Sequence, residues 1–135
     1  MTYKNNKYEQ MNLNQITIPS IDLEKAVVFY KKLGLQLIVD ALPKYVRFEC
    51  PDGESTFSIH KVEELPKGNG ITIYFENDNL DALVKQLKEK GIIFTSEPED
   101  KSWLWREVHL QDPDGNAIIL YNAGDNRKNP PWRIN

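Results

Sequence analysis

The sequence predicts an α+β fold built from two βαβββ modules within one chain of 135 residues. Three observations carry this prediction. Residues 22–30, followed by Gly34, recur as residues 79–87, followed by Gly91, and both Asp22/Asn79 and Gly34/Gly91 are offset by 57 residues. A β-branched and aromatic run precedes each copy, at 13–18 and at 71–75. Three further strand-like runs follow each copy, and a Pro-Asp-Gly turn joins the last two, at Pro51-Asp52-Gly53 and at Pro113-Asp114-Gly115.

The elements follow in order. After the strand at 13–18, Asp22 can cap a helix whose residues Leu23, Ala26, Val27 and Tyr30 fall at i, i+3, i+4 and i+7 and so form one apolar stripe. Gly34 can take the left-handed conformation that ends it. Strands at 35–39, 45–50 and 56–62 complete the first copy. Pro66, Gly68 and Gly70 mark a linker. The second copy repeats the pattern: a strand at 71–75, a cap at Asn79, a stripe of Leu80, Leu83, Val84 and Leu87, Gly91, and strands at 92–95, 105–111 and 117–121. The organisation is thus an N-terminal extension at 1–11, a first module at 12–64, a linker at 65–70, a second module at 71–123 and a tail at 124–135. The tail is either disordered or docks its Trp132 on the body or on a second subunit.

Composition narrows the function classes. Hydrophobic residues at 40% and charged residues at 27% suit one folded domain. A net charge of −3 with interspersed signs offers no basic stripe for a phosphate backbone, so nucleic acid is excluded as a partner. No apolar run approaches the roughly 20 residues of a membrane span, and the first residues lack the apolar stretch of a signal peptide, which points to a cytoplasmic protein with no membrane partner. The one cysteine, Cys50, has no Lys, Arg or His beside it and reads as a buried structural thiol.

The paired phrases Asp22-Leu23-Glu24-Lys25-Ala26 with Phe29-Tyr30 and Leu33-Gly34, and Asp112-Pro113-Asp114-Gly115-Asn116, resemble the vicinal oxygen chelate superfamily over residues 12 to 123. That group includes glyoxalases, bleomycin resistance proteins and extradiol dioxygenases. The resemblance implies a curled, cup-shaped mixed sheet with the helices outside and, in the enzymes, a divalent metal at the cup floor. Carried over position by position, the metal-ligand sites fall on Gln15, Ser58 (or Phe57, if the two Pro-Asp-Gly turns are matched), Thr72 and Ile119. Only Gln15 is an acceptable ligand, since Thr72 and Ser58 are neutral hydroxyls and Ile119 has no donor. The expectation is therefore no cofactor, the alternative being a divalent metal ion held by a displaced set of Gln15, His60, Glu107 and His109.

Residues i and i+2 of a strand share a face, so Gln15 brings Thr17, Ser58 brings His60, Thr72 brings Tyr74 and Ile119 brings Tyr121. Analogy with the fosfomycin resistance enzymes of the same superfamily puts Glu107 and His109 inside, and Arg106 outside. Glu107, His109 and His60 are the candidate acid–base residues. Arg47 either binds an anionic group or pairs with Glu49, and Trp103 and Trp105 either fill the core or rim a pocket. By resemblance the protein binds a small organic molecule, without the usual metal, as a homodimer. The alternative is a lyase, isomerase or dioxygenase using a metal or His/Glu acid–base chemistry.

Overall fold

Alternation of apolar and polar side chains gives most strands one face for a helix and one turned away from it, and the computed structural model of the chain, which describes residues 13–68 and 70–134, is built on that division. The expected extension at 1–11 lies outside the described residues. The first module comprises β1 (Gln15–Ser20), α1 (Leu23–Leu33), β2 (Gln36–Ala41), β3 (Tyr45–Glu49) and β4 (Thr56–Lys61). The second comprises β5 (Thr72–Glu76), α2 (Leu80–Glu89), β6 (Glu99–Asp100), β7 (Arg106–Gln111) and β8 (Ala117–Asn122). Their sheets have the same topology, β1-β4-β3-β2 and β5-β8-β7-β6, and in each the first strand lies parallel to the last while the others are antiparallel.

The curled, cup-shaped sheet expected from the resemblance does not form. The modules are two separate open sheets of four strands, with no strand ladder between them. The edge strands β1 and β5 are not paired, and residues of both, among them Gln15, Ile16, Thr72 and Ile73, line a cavity of about 290 Å³. Two smaller expectations also fail. The strand at 92–95 reduces to one bridge, Phe94 to Leu110; the register shifts beyond it, where Pro98 has no N–H to give, and pairing resumes at Glu99 and Asp100, in β6. Asn79 makes no side-chain cap; the Asn77 carboxamide oxygen instead accepts from the Asn79 N–H at 2.7 Å.

Helix α1 behaves as its sequence requires. The Asp22 carboxylate accepts from the Lys25 N–H, Gly34 ends the helix at φ 116°, and Leu23, Ala26, Val27 and Tyr30 are buried. In α2, Leu80, Val84 and Leu87 are buried and Leu83 packs at the margin. Both stripes join one core with Val46, Phe48, Phe57 and Ile59 of the first sheet and Val108, Leu110, Ile118 and Leu120 of the second. No helix among the described residues is long and apolar enough to cross a membrane. Trp132 in the tail is exposed.

The modules are tied by the β7–β8 turn. Asp112 Oδ1 accepts from the backbone N–H groups of Asp114 and Asn116, both at 2.9 Å. Its Oδ2 accepts from the Asn116 side chain at 2.8 Å and from the Tyr30 hydroxyl, across the module boundary, at 2.7 Å. Burial, aided by the adjacent Asp112 charge, pushes the Tyr30 hydroxyl well above the ordinary tyrosine range. Tyr30→Phe, which leaves Asp112 Oδ2 short of one donor, is expected to cost about 2 kcal/mol in urea denaturation at neutral pH. Because the folded-state pKa of Tyr30 is raised, its contribution is complete below the unfolded value of about 10 and is lost as pH rises beyond it. The urea midpoint of the wild type should therefore fall more steeply above pH 10 than that of Tyr30→Phe.

Candidate functional site

The register of β4 decides which side chains face away from the helices. Phe57 enters the core and Ser58 faces the other side of the sheet; Thr17 pairs with Ser58 across the sheet, and Arg47 flanks it from β3. On this open face the Gln15 amide donates to Ser58 Oγ at 2.8 Å and to Thr17 Oγ1 at 3.2 Å, while the Thr56 hydroxyl donates to the Gln15 carbonyl. The Tyr45 hydroxyl lies 2.7 Å from Ser58 Oγ and accepts from Arg47 Nε at 2.9 Å. Arg47 thus bonds Tyr45, and no ion pair joins it to Glu49 among the described residues. His60 shares the face, opposite Tyr45, and is exposed, with no hydrogen bond to Gln15, Glu107 or His109.

The open face of the second sheet is better covered. Glu107 on β7 is 3% exposed, and its carboxylate contacts His109 Nε2 at 3.0 Å through one oxygen and accepts from the Trp103 indole at 2.6 Å through the other. Trp105 stacks on Tyr121 with centroids 4.6 Å apart, and Tyr74 meets both edge-on at 5.9 and 5.6 Å. Ile119 and Tyr121 are buried there in a small apolar cluster with Ala123 and Trp105. Burial, followed by the nearby Glu76, raises the pKa of Tyr121. Arg106 points to the opposite face, where it forks onto Asp81 at 2.9 and 3.1 Å and reaches Asp100 at 3.0 Å.

The chain after β8 returns over this face. Glu76 Oε2 accepts from the N–H groups of Ala123 and Gly124 at 2.9 and 3.1 Å, its other oxygen lies 3.7 Å from Arg127, and the Trp105 indole donates to the Asn126 carbonyl at 3.2 Å. Between this segment and the first module lies a cavity of about 550 Å³ with Tyr74, Glu76, Tyr121 and Arg127 on one side and Cys50 and Ser55 on the other. It shares Ser55, Tyr74 and Phe75 with the 290 Å³ cavity that Gln15 and Thr72 line, so the two form one cleft along β5. Cys50 is half-buried, not fully buried as expected, and burial raises its thiol pKa, which keeps it protonated.

Gln15, Thr72, Tyr74 and Tyr121 thus line one cleft, while Glu107, His109 and Trp103 form a group beside it, and Arg47, Ser58 and His60 stand on the first sheet. A further cavity of about 570 Å³, between α1 and the loop after α2, contains none of the expected residues. Sequence reasoning missed Glu76, Tyr45 and Arg127. Glu76 lies two residues beyond Tyr74 and Tyr45 two before Arg47, so strand alternation could have found both; no local pattern announces that Arg127 folds back onto Glu76. The family's metal positions do not fit a divalent ion: Ile119 has no donor, Ser58 Oγ is engaged by Gln15 and Tyr45, and the Gln15 carbonyl is engaged by Thr56. Among the described residues no three His, Cys, Asp or Glu side chains come together as a metal site.

A family model described as the Glyoxalase/Bleomycin resistance protein/Dioxygenase superfamily matches residues 12–120. No curated protein sequence matches the chain. Among solved structures, a glyoxalase/bleomycin resistance protein/dioxygenase from Nocardioides superposes with a TM-score of 0.74 at 22% identity, covering 93% of this chain and 91% of that one. Lactoylglutathione lyase from Agrobacterium tumefaciens gives 0.70 at 17% identity, covering 84% and 95%. A bleomycin-binding protein complexed with bleomycin gives 0.67 at 21% identity, covering 84% and 98%. At these identities the likeness is one of fold.

Glu107, closed in between an indole N–H and an imidazole, fixes which His109 nitrogen carries the proton. In ¹⁵N NMR spectra at alkaline pH the neutral His109 ring is expected to hold its proton on Nε2. Glu107→Ala should relax that preference and lower stability by about 1 kcal/mol, the net worth of the lost hydrogen bonds, since the half-exposed Trp103 indole can turn to water.

Proposed function

The chain belongs to the Glyoxalase/Bleomycin resistance protein/Dioxygenase superfamily, and from that premise we propose that it binds a small organic molecule in the cleft along β5, without the divalent metal that the superfamily's enzymes use. The observation that carries this reading is the cluster of Tyr74, Trp105 and Tyr121 beside a cavity of about 550 Å³. That volume falls in the range of pockets that enclose drug-sized ligands, roughly 300–1,000 Å³. Tyr74 supplies a half-exposed ring for an apolar or aromatic body, and Glu76 and Arg127 supply polar groups at the same cavity. The absence of fitting donors at Gln15, Ser58, Thr72 and Ile119 supports the metal-free part. A homodimer is proposed with it, since the polar face of the first sheet carries exposed Gln15, Thr17, Arg47 and His60 with no layer above them among the described residues.

A second reading is favoured by one observation, the buried Glu107 that holds His109 Nε2. A carboxylate in that position orients the ring so that its other nitrogen is free to take or give a proton, the arrangement needed for acid–base catalysis by a lyase or isomerase. His109 would touch the substrate, and Glu107 would act through it.

Tryptophan fluorescence titration tests the first reading, with bleomycin as the first probe because one structural relative is complexed with it. Panels of other small aromatic ligands follow. Tyr74→Ala is expected to weaken a bound probe by about tenfold, equivalent to about 1.4 kcal/mol. Elemental analysis of protein purified without chelator should find far less than one divalent ion per chain. Light scattering should report twice the chain mass of 15.7 kDa. Incubation of a bound ligand in D₂O separates the readings: unexchanged ligand is expected, whereas deuterium uptake abolished by His109→Ala would establish the second.

A further inference from the structure

The hydroxyl and guanidinium groups on the first sheet have more protons than acceptors. Ser58 is fully buried, and its Oγ accepts from the Gln15 amide at 2.8 Å. Between Ser58 and Tyr45, 2.7 Å apart, one hydroxyl donates to the other. If Tyr45 donates, the Ser58 proton has no acceptor; if Ser58 donates, Tyr45 Oη accepts from Ser58 and from Arg47 Nε, and the Tyr45 proton has none. Either way one hydroxyl proton is left over. Arg47 adds its two Nη groups, which make no hydrogen bond or ion pair among the described residues, and Glu49, the nearest carboxylate along the strand, does not turn to meet them. A cluster with several spare donors and no spare acceptor is complementary to an anion.

We propose that Arg47, Tyr45 and Ser58 form an oxyanion subsite on the first sheet that takes the carboxylate or phosphate group of a small ligand. The guanidinium fork presents parallel N–H groups to two oxygens of such a group, and the leftover hydroxyl proton supplies a third donor. Arg47 is also fixed from below: its guanidinium lies 5.5 Å from the centre of the Tyr45 ring, so little side-chain freedom remains to be lost on binding. The hydrogen bond with Ser58, with a smaller contribution from Arg47, lowers the pKa of Tyr45 against the effect of burial. Gln15 connects this subsite to the cleft, since it lines the 290 Å³ cavity and donates to Ser58. The assignment does not require the cleft to be occupied.

¹H–¹⁵N NMR titration of the full chain with benzoate, phenyl phosphate and the uncharged benzamide tests it. At least one of the two anions is expected to shift the Arg47 Nε–H and Ser58 amide signals and to bind about tenfold more tightly than benzamide. The tighter of the two identifies the group as carboxylate or phosphate. Arg47→Gln, at an exposed position, should remove about tenfold of that affinity, and Arg47→Lys should restore only part of it, because an ammonium lacks the fork. Anions that bind no better than benzamide, or that titrate Arg47→Gln as they do the wild type, would overturn the proposal. Shifts confined to Tyr74 and Tyr121 would also overturn it while sustaining the cleft reading; shifts at Arg47 and Ser58 with a silent cleft would sustain it and count against that reading.

Discussion

The buried carboxylate of Asp112 is the point on which the two halves of this molecule are joined. Two oxygens receive four hydrogen bonds, three from within its own turn and one from a helix in the other module. A buried carboxylate left unpaired is costly, so the turn, the hydroxyl of Tyr30 and the strands they belong to must be in place together. The same turn reaches the β1–α1 connection, where Asp114 Oδ1 accepts from the Ile21 N–H at 2.9 Å. Asp112-Pro113-Asp114-Gly115-Asn116 is conspicuous in the sequence, and its work is to fix one sheet against the other, so that the cleft along β5 has two walls with a defined spacing.

Much of this was legible in the sequence because it is local. The repeat of 57 residues, the two helical stripes and the Pro-Asp-Gly turns each follow from residues a few positions apart, and the topology of each module follows from them. Strand alternation joined Ile119 to Tyr121 and Thr72 to Tyr74, while only the analogy with the fosfomycin resistance enzymes chose a face for Glu107 and His109. Alternation fixes a face within a strand and nothing about which edges meet. Whether β1 and β5 join depends on contacts between modules that no local pattern encodes, and the sheets stay open where a curl was expected. The edge of the second sheet shows the same limit: of the apolar run at 92–95 only Phe94 finds a bridge partner, while the polar pair Glu99 and Asp100 forms β6.

The modules share a topology and differ in what covers their open faces. The second sheet has a small apolar layer of Ile119, Tyr121, Ala123 and Trp105, held down by the chain that Glu76 anchors through two backbone N–H groups. The first sheet has a hydrogen-bonded lattice in which exposed Gln15 and Arg47 and half-buried Tyr45 surround the buried Ser58 hydroxyl. An apolar body and a polar group therefore find different surfaces on one chain. The difference arises almost wholly from residues outside the repeat's helices, which need only to bury a stripe.

The parallel pairing of the first and last strands of each module bears on how the chain reaches this state. Gln15 lies beside Thr56, and Thr72 beside Ala117, so neither opening strand has a hydrogen-bonded neighbour until most of its module has been synthesised. Tyr30 and Asp112 are 82 residues apart. Contacts of such sequence separation are reached late, after the entropy of closing long loops has been overcome, and they slow folding relative to a helical bundle of equal size. On a ribosome the Tyr30 hydroxyl lacks its acceptor until the final hairpin has emerged, and only then can the bond that ties the two modules form.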